Sequence, residues 1–375
     1  PINFSQTILG QTLSFDLTSM AIAGGATAGE VGVGAAVIVN VFDLTTTAYI
    51  ADSAQINQDT NPAYDTEGSL TVRATSDTEL FNLAGSLGLS AGAAGVGVGL
   101  DVTVIDKDTQ AYIGSGAQVN SDYNVVIDAN SSEDILSIAA NAGVASTAGV
   151  AASISVQVIT TGTRAYSLGA IDAGGNVAIT ADGDLDATLI AGSIGAAGTA
   201  GVGVSNTTLV HDDTVQAYVG QGASVTTDGA PGLTVSASST EELITIAAAG
   251  GAAGTAGVAG TAVVNVLDET TQAFIGRSAT INATVGSVSI SANDDTDIVS
   301  VAGSLAAAGT AAVGVGADVG VIDKITEAYI DSSVTANIKK DIIIAATSSE
   351  DITSVAAGLA ISGTASIALD ASVHI

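Results

Sequence analysis

Residues 96–113 read VGVGLDVTVIDKDTQAYI, and this stretch decides the fold because the chain repeats it. The intervals between equivalent aromatic residues in successive copies are 63, 54, 52, 56 and 55 residues. Repetition at a fixed period of this length indicates stacked units that bury their apolar faces against their neighbours. The six aromatic residues, each preceded by an alanine, are Tyr49, Tyr112, Tyr166, Tyr218, Phe274 and Tyr329.

Each repeat contains two segments with the character of β-strands. In the long one, alternate residues from Val96 to Val104 are apolar, and glycines or polar residues such as Asp101 and Thr103 lie between them. A period of two is typical of strands. The second segment is short, as in Val125 to Ala129, and an acidic, hydroxyl-rich patch follows it. Because copies preserve the register of the long run, we expect stacked parallel strands with their valines facing inward.

These features predict an all-β protein, a right-handed parallel β-solenoid (β-helix) built from about six repeats of 52–63 residues. We expect residues 1–375 to form a single elongated repeat domain, with a partial repeat at each end and a loop insertion near residues 59–68. Ile2 to Phe15 resemble the second half of a repeat. The number of coils per repeat is open; with two coils in each, the stack would span roughly 60 Å.

Composition excludes several classes of partner. The chain has 7 Lys and Arg against 38 Asp and Glu, a formal charge of −31, which opposes binding to nucleic acid or to anionic lipid. The absence of cysteine fits a chain that works outside the cell. Uncharged runs such as Leu243 to Leu267 have the length of transmembrane helices, but they alternate with a period of two. We therefore predict no membrane insertion.

An acidic position recurs in five of the six repeats and is the candidate metal site. Stacked carboxylates repel one another, and a hard cation with oxygen ligands relieves that repulsion, so the ladder predicts Ca²⁺ between neighbouring coils. The alternative is a solvated surface whose charges are screened by salt. Further acids follow at Asp108, Asp213 and Glu269. The ladder consists of Asp43, Asp106, Asp212, Asp268 and Asp323, with Thr160 in the third repeat.

The remaining candidates for chemistry have simple structural interpretations. His211 and His374 are the only histidines, and we expect both to be polar surface residues. One aromatic ring per repeat predicts either core filling or an aromatic stack, and a platform for sugar is the alternative. The alternating glycines predict a close approach of two sheets, or else a flat face that packs against a second copy. No repeat carries a catalytic constellation, so we predict that the protein is not an enzyme.

The combined pattern resembles the repeats of very large bacterial surface proteins. The residues that carry this resemblance are Gly254 to Asp268, Thr271 to Gly276 and Val288 to Ala292, and similar segments cover nearly the whole chain. The relevant families are the filamentous-haemagglutinin-like and leukotoxin-like adhesins. The resemblance implies an exported β-solenoid and supplies no catalytic or ligand residue.

Together these observations predict the structural shaft of an extracellular surface adhesin or filament, located at the cell surface. Its expected partner is itself, through head-to-tail or lateral contacts, or further repeats of a longer chain. A surface glycan is a further partner class that the sequence leaves open. The alternative function is a carbohydrate-binding or carbohydrate-acting β-helix protein, because that fold also serves such proteins.

Overall fold

The protein is all-β in the computed structural model, which describes residues 4–8, 11–15, 17–58 and 68–375. The described strands are, in chain order, β1 (Phe4–Ile8), β2 (Gln11–Phe15), β3 (Leu17–Thr27), β4 (Val31–Ile50), β5 (Gln55–Ile56), β6 (Leu70–Ser90), β7 (Ala94–Ile113), β8 (Gln118–Ser121), β9 (Val125–Ala145), β10 (Ala148–Ser167), β11 (Ala170–Ala173), β12 (Val177–Ala197), β13 (Ala200–Val219), β14 (Ser224–Thr227), β15 (Gly232–Ala253), β16 (Ala256–Ile275), β17 (Thr280–Ala283), β18 (Ser287–Ala308), β19 (Ala311–Ile330), β20 (Thr335–Ile338), β21 (Ile342–Ser362) and β22 (Ala365–His374).

Three parallel sheets make up the body of the molecule. Sheet 1 has the order β21-β18-β15-β12-β9-β6-β3, sheet 2 the order β22-β19-β16-β13-β10-β7-β4, and sheet 3 the order β20-β17-β14-β11-β8-β5. The chain runs once through sheet 1, turns into sheet 2, passes through the short strand of sheet 3, and enters sheet 1 again one strand further on. The predicted parallel β-solenoid is thus confirmed.

Each sequence repeat forms one coil. Tyr49, Tyr112 and Tyr166 are partners in successive strands of sheet 2, so one repeat advances the stack by one strand. Strands of 20 residues, such as β7, extend about 66 Å, whereas six steps between seven strands span only about 29 Å. The height of 60 Å considered for two coils per repeat is therefore wrong. The coil is wide, and the stack is low.

Apolar side chains fill the interior at the sheet 3 end and in the middle of the coil. Ile113, Val119 and Ile127 are fully or almost fully buried in the cluster next to sheet 3. A second cluster, which includes Leu209 and Ile298, fills the space between the midpoints of sheets 1 and 2. Because the repeats are in register, each of these positions is a column that continues from coil to coil.

The interior narrows toward the turn between sheets 1 and 2, and there the prediction for the valines is wrong. Gly95, Gly97 and Asp101 of β7 are buried, whereas Val96 and Val98 face outward and are partly exposed. The cause is the close approach of the two sheets. A Cβ atom on Gly95 would lie 2.2 Å from the carbonyl oxygen of Val144. The glycines therefore allow the sheets to approach, as predicted, and the alternative of a glycine face that packs against a second copy is wrong.

The N-terminal segment departs from the coil. Strands β1 and β2 pair antiparallel with each other, with Phe4 opposite Phe15, and do not form the half repeat predicted for Ile2 to Phe15. Of the loop insertion predicted near residues 59–68, residues 59–67 lie outside the described residues.

Candidate functional site: acidic columns on two faces of one sheet

The predicted aspartate ladder forms one column on the outer face of sheet 2. Its members are exposed, and each pairs in register with the residue of the next coil. Neighbouring strands lie about 4.8 Å apart, a spacing that permits either a shared cation or separate hydration of each carboxylate. The Ca²⁺ assignment stays a prediction. The order of the column is Asp43, Asp106, Thr160, Asp212, Asp268 and Asp323.

The aromatic residues form a second column on the same outer face. From Tyr49 to Tyr329 the six rings stack on one another, with centroids 4.7 to 5.1 Å apart and interplanar angles of at most 10°. The predicted aromatic stack is confirmed, and the alternative of core filling is wrong, because the rings lie outside the core and Tyr49 is 57% exposed. Their packing stabilises the register of the coils.

The residue after each ladder position points into the solenoid, because successive side chains of a strand alternate between its two faces. Sequence reasoning grouped Asp213 and Glu269 with the ladder, but the structure places both on the opposite face of the sheet, where they are buried. This inner column consists of Leu44, Lys107, Thr161, Asp213, Glu269 and Lys324.

At the first coils the inner column is balanced in charge. The ammonium group of Lys107 lies 2.5 Å from Glu133 Oε1, and both side chains are buried. Lys107 Nζ also donates to the carbonyl oxygens of Ser76 and Ser132, at 2.7 and 2.9 Å. A buried ion pair is stable only when its remaining hydrogen-bonding capacity is used, and this pair meets that condition.

Further along the column, three carboxyl groups are linked through two hydroxyl groups. Ser239 Oγ lies 2.8 Å from Asp213 Oδ2 and 2.6 Å from Glu241 Oε1. Thr296 Oγ1 lies 2.9 Å from Glu241 Oε2 and 3.2 Å from Glu269 Oε2. The resulting chain of polar groups crosses the interior between sheets 1 and 2.

One ammonium group serves this end of the column. Lys324 Nζ lies 3.1 Å from Glu269 Oε2, is in contact with Asp294 Oδ1, and lies 3.6 Å from the half-exposed Glu350. The Asp294 and Glu269 side chains are fully buried. We call four buried carboxyl groups the acidic cluster, and two of them, Glu269 and Asp294, contact Lys324. Its members are Asp213, Glu241, Glu269 and Asp294.

Burial shifts the pKa values of the acidic cluster upward. Desolvation raises the pKa of Glu241 to about 9, and the neighbouring Glu269 carboxylate adds to that shift. Desolvation also raises the pKa of Glu269 to about 7, against the opposing effect of Lys324. The pKa of Asp213 rises to about 6, again because of burial. At neutral pH the cluster therefore holds protons or requires additional positive charge.

His211 lies next to the acidic cluster, and the prediction that it is a surface residue is wrong. Its side chain points inward from β13 and is only 2% exposed. Desolvation lowers its pKa to about 4, so the imidazole is neutral at pH 7. His374 is exposed, as predicted, and its Nε2 lies 3.6 Å from Asp318 Oδ2.

A third group of buried polar residues lies nearer the turn between sheets 1 and 2. Asp101 accepts hydrogen bonds from Asn82 at 3.1 Å and from Gln157 at 2.9 Å, and it is in contact with Ser137. Burial raises the pKa of Asp101. Sequence reasoning did not identify these residues as interior, although Asp101 interrupts an otherwise apolar stretch.

Apolar side chains cover the outside of both sheets at this narrow margin. On sheet 1, Ile194, Leu305 and Leu359 are 57%, 50% and 53% exposed and border a groove of about 800 Å³. On sheet 2, Val204 and Val258 are 44% and 38% exposed. A contiguous apolar surface of this kind favours contact with another molecule.

The fold and the two columns define a repeat solenoid with an apolar outer margin and an interior that holds both apolar clusters and buried polar groups. Comparison of the chain with protein-family models, curated proteins and solved structures gave no match. Among the described residues, no helix is long and apolar enough to cross a membrane.

Proposed function

We propose that this chain is a section of the structural shaft of an extracellular surface adhesin or filament. The observation that carries the proposal is the in-register stacking of successive coils, in which each repeat presents the same outer columns as its neighbour. A coil of this kind adds length without changing its cross-section. The resemblance of the repeats to those of large bacterial surface adhesins supports the proposal, as does the high negative charge, which favours solubility.

Growth along the stacking axis is the assembly that this proposal implies. Ile344 is 46% exposed and Ile352 is 38% exposed, whereas their in-register counterparts Ile290 and Ile298 are buried. Another coil in the same register would cover these side chains and pair with the free edge of β21 and β22. Such a coil belongs either to further repeats or to another copy of the chain, and head-to-tail contacts between copies do not close.

Electron microscopy of the purified 375-residue chain tests this assembly. We expect rods longer than the roughly 66 Å that a single coil already measures across, growing with protein concentration. Ile375 exchanges hydrogen bonds with Gly320 and Ile322 of the preceding coil, and in parallel strands alternate residues bond to opposite neighbours. The Ser372 N–H therefore points to the free edge. Ser372→Pro should shorten the rods by removing that donor, while Ser372→Ala, which keeps it, should not.

Single particles of constant size at all concentrations, with no difference between the two variants, would contradict head-to-tail assembly.

The second candidate function is carbohydrate binding, which the partly exposed ring column from Tyr49 to Tyr329 favours. Specific capture or cleavage of a glycan by a chain that stays monomeric would favour that function over the shaft.

A further inference from the structure

The repeat symmetry of the solenoid is broken at one interior position of β13. The equivalent residues in the other coils are all apolar: Phe42, Ile105, Ile159, Leu267 and Ile322. His211 replaces them in a space that is otherwise part of the middle apolar cluster. Burying an imidazole in place of a branched aliphatic side chain is unfavourable unless its nitrogens are used. The presence of histidine instead of an apolar residue at this position therefore needs a chemical reason.

The hydrogen bonds around His211 leave one ring nitrogen free. Thr161 Oγ1 donates its single hydrogen to Asp213 Oδ1, so it must accept from His211 Nε2, which lies 3.2 Å away. The imidazole then carries its hydrogen on Nε2 and a lone pair on Nδ1. His211 Nδ1 is buried and has no hydrogen-bond partner. Metal-binding imidazoles are usually fixed by a hydrogen bond from the other nitrogen, and here Nε2 is fixed by the Thr161 hydroxyl, which is in turn held by Asp213.

The carboxylates next to His211 have fewer hydrogen-bond donors than their oxygens can accept from, even with Lys324 beside Glu269. Ser239 has one hydroxyl hydrogen for both Asp213 and Glu241, and Thr296 has one for both Glu241 and Glu269. Glu269 Oε1 is buried without any partner. The space lined by His211, Asp213 and Glu241 is too narrow for a water molecule. Water therefore cannot supply the missing donors.

We propose that His211, Glu241 and Glu269 bind one divalent transition-series cation, Zn²⁺ or Mn²⁺, in the interior of the solenoid. Their ligand atoms lie within 4.8 Å of one another. Zinc bonds to nitrogen and oxygen ligands are about 2.0–2.2 Å long, so closure onto an ion needs side-chain movements of only about 1 Å. An imidazole nitrogen among carboxylate oxygens favours these metals over Ca²⁺, which takes oxygen ligands alone.

This site is separate from the exposed aspartate column and does not depend on the shaft function. Asp212 and Asp268 face solvent, while the proposed ligands occupy the other face of the same sheet or the sheet opposite. Because the interior is closed, we expect the ion to enter during folding. Binding should also displace protons from the carboxyl groups, since metal ligands must be deprotonated.

The test compares the full chain refolded from denaturant in metal-free buffer with the same chain refolded with Zn²⁺, Mn²⁺ or Ca²⁺. After removal of free metal, we expect about one Zn²⁺ or Mn²⁺ per chain by elemental analysis, and no retained Ca²⁺ at this site. The Tm should rise by about 4 °C at a free Zn²⁺ concentration 100 times the Kd.

His211→Leu is the decisive variant, because it restores the residue type that the other coils carry and so should fold. It should lose the bound metal and the metal-dependent rise in Tm. Glu269→Gln should also lose the metal. Two matched controls, Asp268→Asn on the outer face and His374→Asn at the exposed histidine, should keep both. Wild-type protein that retains no metal, or His211→Leu protein that retains as much as wild type, would overturn the proposal.

Discussion

Neighbouring acidic residues of one strand lie in opposite environments in this protein. Asp212 and Asp268 are exposed, whereas Asp213 and Glu269, one position further along, are buried. Alternation in the sequence predicts that such neighbours differ, but it does not fix which of them faces inward. Hydrophobicity suggested that the valines of the same strands point inward. Instead, the close contact between the backbones of sheets 1 and 2 places the glycines inside and the valines outside. The sequence of a single strand carries no signal of that contact.

The buried carboxyl groups predict a stability that falls as the pH rises. A folded-state pKa of about 9 for Glu241 and about 7 for Glu269 lies above the unfolded values, so the folded state binds more protons. This contribution is fully present below about pH 4.5 and is lost as the pH rises through 7 and 9. His211 acts oppositely: with its pKa lowered to about 4, it favours folding above pH 6.5 and destabilises below it.

Thermal unfolding in the presence of a chelator, measured from pH 5 to 9, checks this expectation. Between pH 7 and 9 we expect wild-type protein to lose on the order of 2 kcal/mol of stability. Glu241→Gln should remove most of that loss, because the amide does not titrate. Glu242→Gln, at the adjacent exposed position, is the matched control and should behave like wild type. A flat wild-type profile, or the same slope in both variants, would contradict the buried position of Glu241.

At the scale of the strand, the glycine columns determine how closely sheets 1 and 2 approach. A Cβ atom on Gly143 would lie 1.9 Å from the carbonyl oxygen of Val150 and 2.7 Å from that of Gly95. Both obstacles are backbone atoms, which cannot move without disturbing the ladders. Gly260 is different, because a Cβ atom there meets nothing within 4 Å. Gly143 is therefore required for the close packing of the two sheets, whereas Gly260 only makes the backbone more flexible.

Two alanine substitutions separate these cases. Gly143→Ala should destabilise the protein by about 3 kcal/mol or more, since overpacking against rigid backbone is not relieved by a rotamer change. Gly260→Ala should stabilise it by about 0.5–1 kcal/mol, because alanine loses less backbone entropy than glycine. Denaturant unfolding of both variants measures the difference. Equal effects of the two substitutions would show that the sheets do not approach as closely as described.

Strand existence and register were predictable from sequence, and the interior site was not. The outer ladder from Asp43 to Asp323 follows directly from the repeat, because equivalent positions stack. The proposed cation site combines β13, β15 and β16, two strands of sheet 2 and one of sheet 1, and such a contact across the interior has no local pattern. The one available signal was His211 itself, a histidine at a position where the other repeats carry isoleucine, leucine or phenylalanine.

At the scale of the molecule, one coil per repeat has a mechanical consequence. Each repeat of about 55 residues adds only about 4.8 Å to the stack, but its cross-section is about 66 Å wide. A shaft of this design uses many residues for each unit of length and gains a broad, continuously hydrogen-bonded section. Its outside carries an apolar margin on both long sheets, where exposed residues such as Ile194 and Val204 favour contact with another molecule.

The central claim is that the repeats stack in register, one coil each, and spin-label distances test it most directly. The chain has no cysteine, so labels can be placed at the exposed ladder by paired substitutions without other changes. Asp43→Cys with Asp323→Cys spans five strand steps, and Asp43→Cys with Asp268→Cys spans four. The account predicts narrow distributions centred near about 24 Å and about 19 Å. Distances near twice these values, or broad distributions that do not differ between the two pairs, would contradict it.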